Sequence, residues 1–182
     1  MIENQSGDGI KPNKKWLTGM FLDRESTENA YSVLHDRGYT NAEINLVMSD
    51  ETRKKYFKST MVETDLATKA AEGAGIGGAV GGTLGAIVGV LAALGTSVAI
   101  PVFGILLAGP IAAGIAGIGT GVVTGGIIGA LVGVGIPEEQ AALYESGVKK
   151  GKIVLGINPH NDEDAEYFER LWKANRGEVI YK

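Results

Sequence analysis

Gly73-Ala74-Gly75-Ile76-Gly77-Gly78-Ala79-Val80-Gly81-Gly82-Thr83-Leu84-Gly85-Ala86-Ile87-Val88-Gly89 opens a run that reaches Pro137 without one Asp, Glu, Lys, Arg or His, bracketed by Glu72 and Glu138. Glycine recurs in it at every fourth residue, at Gly73, Gly77, Gly81, Gly85 and Gly89, then at Gly117, Gly121, Gly125, Gly129 and Gly133. Four residues nearly complete a helical turn, so each set draws a slowly drifting bare stripe along one helix, against which another backbone can lie close. Each glycine costs roughly 1 kcal/mol relative to alanine in a helix exposed to water, so such helices need an environment in which small residues serve as packing surfaces.

A bilayer is one such environment. At about 1.5 Å per residue, Gly73 to Leu94 spans about 33 Å and Pro110 to Ile136 about 40 Å, against a hydrocarbon core of about 30 Å. Gly95-Thr96-Ser97 and Pro101 read as the turn between the arms, Pro110 suits the first position of the second helix, and residues 102–109 read as a short extra helix or re-entrant piece. The stretch 73–136 is therefore expected to be a glycine-zipper α-helical hairpin that is transmembrane. The alternative is a hairpin bundled in the core of a homo-oligomer, since glycine dilutes the large apolar side chains that insertion needs.

Outside this run the chain alternates strand and helix. Trp16–Leu22 has the content of a strand, Asp23 can cap a helix over Arg24–Arg37 that ends at Gly38, and Ile44, Leu46 and Met48 alternate in a second strand. Pro137-Glu138-Glu139 starts a helix with Ala141, Tyr144 and Val148 on one face, and Ile153, Leu155 and Ile157 alternate in a third strand. Asn161 or Asp162 caps a helix that buries Ala165, Phe168, Leu171 and Trp172, and Glu178–Lys182 forms a last strand. The order β-α-β, insert, β-α-β is that of an α+β, ferredoxin-like βαβ–βαβ head. The expected division is a flexible tail over 1–15, the head over 16–72 and 137–182, and the hairpin over 73–136.

Composition narrows the function. A net charge of −4 and a pI near 5.3 argue against a general nucleic-acid binder. The absence of cysteine excludes disulfides, thiol catalysis and zinc–thiolate sites. Met1 to Gly9 lacks the basic and apolar regions of a signal peptide, so the head is expected in the cytoplasm. Gly73 to Gly78 spells G-x-G-x-x-G, but no strand precedes it and no acidic residue follows until Glu138, so no dinucleotide cofactor is expected. His35 and His160 have no second ligand at helical spacing, and Asp162-Glu163-Asp164 with Glu166 lacks the spacing of a calcium loop, so no metal is expected. No serine or threonine has a His–acid arrangement near it, so no catalytic residue is assigned. Arg53, Lys54, Lys55 and Lys58 form a basic segment that can contact lipid headgroups if the hairpin lies in a bilayer, and otherwise forms a solvated face.

The head resembles the bacterial general-stress-protein domain of the heat-induced, YflT-like type, through Thr18-Gly19-Met20-Phe21, Asp23, Ala30, Leu34, Gly38 and Ile44, then Pro137-Glu138-Glu139, Ala141, Tyr144, Gly147 and Gly151. The resemblance implies a stress-associated protein with no assigned reaction. The sequence-based expectation is a non-enzymatic stress protein that self-assembles through its glycine-zipper helices in the bacterial inner membrane. The alternative is a soluble cytoplasmic homo-oligomer.

Overall fold

The computed structural model describes residues 15–57, 97–100, 104–112 and 126–182. Among them the elements run β1 (Leu17–Phe21), α1 (Arg24–Asp36), β2 (Ile44–Ser49), α2 (Asp50–Phe57), β3 (Ser97–Ile100), β4 (Ile105–Ala108), α3 (Gly126–Gly133), α4 (Glu138–Lys149), β5 (Ile153–Ile157), α5 (Asp162–Ala174) and β6 (Glu178–Tyr181). The fold is α+β, with one antiparallel sheet in the order β3-β4-β2-β5-β1-β6. The four strands of the two β-α-β units stand as β2-β5-β1-β6, with β5 inserted between β2 and β1, so the two units interleave.

Strand alternation sorts the core into two halves. Leu17 and Phe21 of β1, Ile44, Leu46 and Met48 of β2, and Ile153, Leu155 and Ile157 of β5 point to a first face covered by Ala30 and Leu34 of α1 and by Phe168 and Trp172 of α5. The Phe21 and Trp172 rings meet edge to face, with centroids 5.7 Å apart. The caps are as the sequence requires: Asp23 Oδ1 accepts from Ser26 N at 2.8 Å and Asn161 Oδ1 from Asp164 N at 2.8 Å.

The second face is not left to water. Met20, Val47, Val154 and Leu107 point there and pack against Ala141, Tyr144 and Val148 of α4, against Ile127, Ala130 and Leu131 of α3, and against Ile111 and Ala112. The central strands are thus buried on both sides, and the sheet lies between two layers of helices.

This arrangement corrects the expected hairpin. Ser97–Ile100, placed by the sequence reading at a turn far from the head, is a strand paired with β4 in the register Ile100↔Ile105. β4, in the segment read as a helix or re-entrant piece, pairs with β2 in the register Ser49↔Ile105. The middle of the uncharged run is a β-hairpin extending the head's own sheet. Nor is Pro110 to Ile136 one straight helix, which would set its ends about 40 Å apart. Ile111 and Leu131 instead share one core, and Gly126 has φ 61°, outside the right-handed helical region. Among the described residues no helix is long and apolar enough to cross a membrane. The first arm, Gly73–Leu94, lies outside the described residues.

Candidate functional site

The part of the insertion that can be followed is held to the head by a few specific contacts. Gly109 (φ 100°) carries the chain from β4 past the start of β2. A Cβ at Gly109 would stand 2.3 Å from the Ile44 carbonyl oxygen, so only glycine passes here. The chain is helical from Pro110, which has no N–H, and the next amide, Ile111 N, donates to Asn45 Oδ1 at 2.7 Å. Asn45, buried on β2, donates in turn through Nδ2 to Gly156 O at 3.1 Å. One amide side chain thereby ties the insertion to the two middle strands of the sheet.

At the other end, Trp16 Nε1 donates to Val134 O at 2.9 Å, fixing the turn after α3 to the start of β1. α3 closes at Gly135 (φ 100°), with Ile136 N bonded to Leu131 O at 3.0 Å and Gly135 N to Val132 O at 2.9 Å, and α1 and α4 close in the same way at Gly38 and Gly151. Thr18 and Tyr144 share a hydroxyl hydrogen bond of 2.6 Å across the second face, and burial pushes the Tyr144 phenol upward. A Cβ on Gly147 would lie 1.9 Å from Met20 Sδ, so α4 sits flush on β1 because it lacks a side chain there.

The candidate site is the outer side of α3. Ile127, Ala130 and Leu131 face the sheet, while Val132 and Gly133 are exposed and Ile128 and Gly129 are half-buried. None of these four positions carries a polar side chain, and Ile128 packs partly against the core beneath. Among the described residues a Cβ at Gly129 or at Gly133 would meet nothing within 4 Å. Val132 keeps 42% of its surface, and Leu143, on the neighbouring α4, keeps 50%. The other glycines of the two ladders, Gly73, Gly77, Gly81, Gly85, Gly89, Gly117, Gly121 and Gly125, lie outside the described residues.

The basic segment is divided by the structure. Arg53 Nη2 and Lys54 Nζ pair with Asp50 at 2.5 and 2.6 Å within α2, and these hydrogen bonds, Lys54 first, hold the Asp50 carboxyl below its ordinary range. Lys55 stands over the Tyr56 ring at 4.9 Å, and Lys58 lies outside the described residues. Lys55 instead shares a cleft with Lys149 and Lys150 at the end of α4. Sequence spacing could not reveal that neighbourhood.

Asp162, Glu163 and Asp164 of the acidic cluster and both histidines have partners within the fold. Asp164 accepts from Arg37 Nε at 2.8 Å and from Tyr39 Oη at 3.0 Å, Glu163 pairs with Arg37 at 3.0 Å, and Asp162 pairs with Lys15 at 2.8 Å. Burial, the largest cause, pushes the Tyr39 phenol up to about 12. The His160 ring stacks on Tyr39 at 4.1 Å and bonds Glu43 Oε1 through Nε2 at 2.6 Å. That bond and those from Thr40 pull the Glu43 carboxyl down to about 2. His35 Nε2 lies 2.5 Å from Tyr31 Oη and 2.9 Å from Asn41 Oδ1. Among the described residues no group of three His, Cys, Asp or Glu side chains could hold a metal ion.

The residues that carry the family resemblance are structural ones. Thr18 bonds Tyr144, Gly19 lies under Trp172, Asp23 caps α1, and Gly147 admits Met20. No protein-family model, no curated protein and no solved structure matches the chain.

Proposed function

We propose that this chain is a non-enzymatic, self-associating protein, stress-associated as its family resemblance implies. In this reading it is a ferredoxin-like head with a glycine-rich insertion partly built into its own core, presenting a side-chain-poor apolar face to a second copy. The observation that carries this reading is the outer side of α3, where Ile128, Gly129, Val132 and Gly133 stand together without a polar group and with open space over both glycines. Glycine in a helix turned toward water is unfavourable, and a backbone packed flush against it removes that penalty. Of the two locations that the sequence allows, the reading adopts the cytoplasmic one, with helices bundled between copies. Its support is that the middle and the end of the insertion fold onto the head's sheet rather than standing a bilayer's width away.

The test is light scattering coupled to size-exclusion chromatography on the full chain, with Gly129→Leu/Gly133→Leu as the variant. At both positions a Cβ has room among the described residues, and each exchange raises helix propensity by up to about 1 kcal/mol. The expected result is a lower assembly mass with an unchanged or raised thermal midpoint. An unchanged mass refutes the role of this face, and a monomeric wild type refutes self-association. Recovery of the protein only in detergent extracts of membranes would return the reading to the bilayer.

A further inference from the structure

Apart from the proposed association face, a second feature stands where α2 meets the end of α4. Thr52 Oγ1 donates to Gly151 O at 3.2 Å, and Ser49 Oγ donates to Thr52 Oγ1 at 2.9 Å, so the start of α2 is fastened to the turn that ends α4. The fastening creates a cleft of about 320 Å³ between the two elements. Lys55 from the last turn of α2 and Lys149 and Lys150 from the end of α4 line it, together with Thr52 and Leu22. Glu51 is the single carboxylate in its lining.

Lys149 reaches Glu145 at 2.8 Å, whereas Lys55 and Lys150 have no carboxylate within ion-pair distance among the described residues. With Glu145 set against Lys149 and Glu51 counted in the lining, the three ammonium groups still leave a local excess of one positive charge in a chain whose net charge is −4. The lysines come from segments almost a hundred residues apart, so this concentration is a product of the fold. Leu22, at the margin, exposes 47% of its surface and adds an apolar wall. Hydroxyls, ammonium groups and an apolar wall in a cleft of this size suit a compact, strongly anionic group attached to a carbon skeleton.

We propose that this cleft binds a phosphate ester, with Lys55 and Lys150 as its principal cationic contacts. The phosphate belongs either to a small soluble metabolite or to an anionic lipid headgroup, and the two are separated by experiment. The full-length protein is titrated with inorganic pyrophosphate at low salt while the amide resonances of Thr52, Lys150 and Gly151 are followed. In parallel it is sedimented with phosphatidylcholine vesicles containing or lacking phosphatidylglycerol. Binding in either arm supports the site, and the arm that responds identifies the source of the phosphate.

Lys55→Gln/Lys150→Gln, both exposed and outside the core, is expected to weaken that binding about 25-fold, at roughly fivefold per lysine. The charge-matched control Lys15→Gln/Lys173→Gln, remote from the cleft, leaves it unchanged. No resonance shift at millimolar pyrophosphate together with no vesicle binding overturns the proposal, and so does binding that survives the Lys55/Lys150 exchange.

Discussion

Replacing Asn45 with alanine removes a side chain that joins the insertion to both central strands. The Ile111 N–H, now bonded at 2.7 Å, and the Gly156 carbonyl, bonded at 3.1 Å, each lose that partner in a region closed to water. A buried donor left without an acceptor costs about 1–3 kcal/mol, and losing the second, longer bond adds about 1 kcal/mol, so the expected loss is about 2–4 kcal/mol. A domain of this kind has only about 5–15 kcal/mol of stability, so the loss is a large share of it. With a urea dependence of about 2 kcal/mol per molar, the middle of the usual range for a small domain, the midpoint falls by about 1–2 M. Native-state hydrogen exchange adds a spatial signature: amides at Ile111, Ala112 and along α3 exchange faster by a larger factor than those of β1 and β5. A stability change below about 0.5 kcal/mol refutes the argument, because a buried and doubly bonded amide cannot be removed that cheaply. Uniform acceleration of all amides refutes the part of it that assigns Asn45 to holding the insertion.

Two further outcomes follow from the geometry. Gly109→Ala places a methyl group against the Ile44 carbonyl at a φ of 100°, where neither the backbone nor the strand can yield, so it lowers stability by about 2–4 kcal/mol in a urea titration. Glu43 has its carboxyl drawn from 4.5 to about 2, chiefly by the His160 hydrogen bond, so its contribution is fully present above pH 4.5 and is lost as pH falls toward 2. The denaturation midpoint of Glu43→Gln accordingly lies below the wild-type midpoint at pH 5.5, and the gap narrows toward pH 2.5. A gap that does not depend on pH excludes the ionised carboxylate as its source.

Most of the head was legible because its signals are local. Asp23 and Asn161 have the side-chain oxygen that a helix start needs, Gly38 closes α1, and apolar residues at period two in 44–48 and 153–157 leave one assignment open. The middle of the uncharged run was misread for an equally physical reason. Glycine at every fourth place indicates a helix that something approaches closely, without indicating whether that surface is lipid, another copy or the chain's own sheet. Ser97–Ile100 and Ile105–Ala108 are runs of four residues, too short for periodicity to separate strand from helix, although the Pro101 and Gly104 between them are the turn signals of a hairpin. A clue also lay in the strands. Met20, Val47 and Val154 are apolar on the side that a sheet covered on one face would turn to water, which requires a second layer of helices.

By itself the sequence determined the elements of the head outside the apolar run, their caps, the succession of two β-α-β units, and the concentration of charge outside that run, since each rests on neighbours within a few residues. Only the tertiary structure decided that this run supplies two strands and a covering helix to the head, that Asn45 reaches across to Ile111, and that Lys55 stands beside Lys149 and Lys150. Those outcomes depend on which distant segments exclude water from one another. The free energy of that exclusion is a property of surfaces in contact, to which residues scattered along the chain contribute jointly.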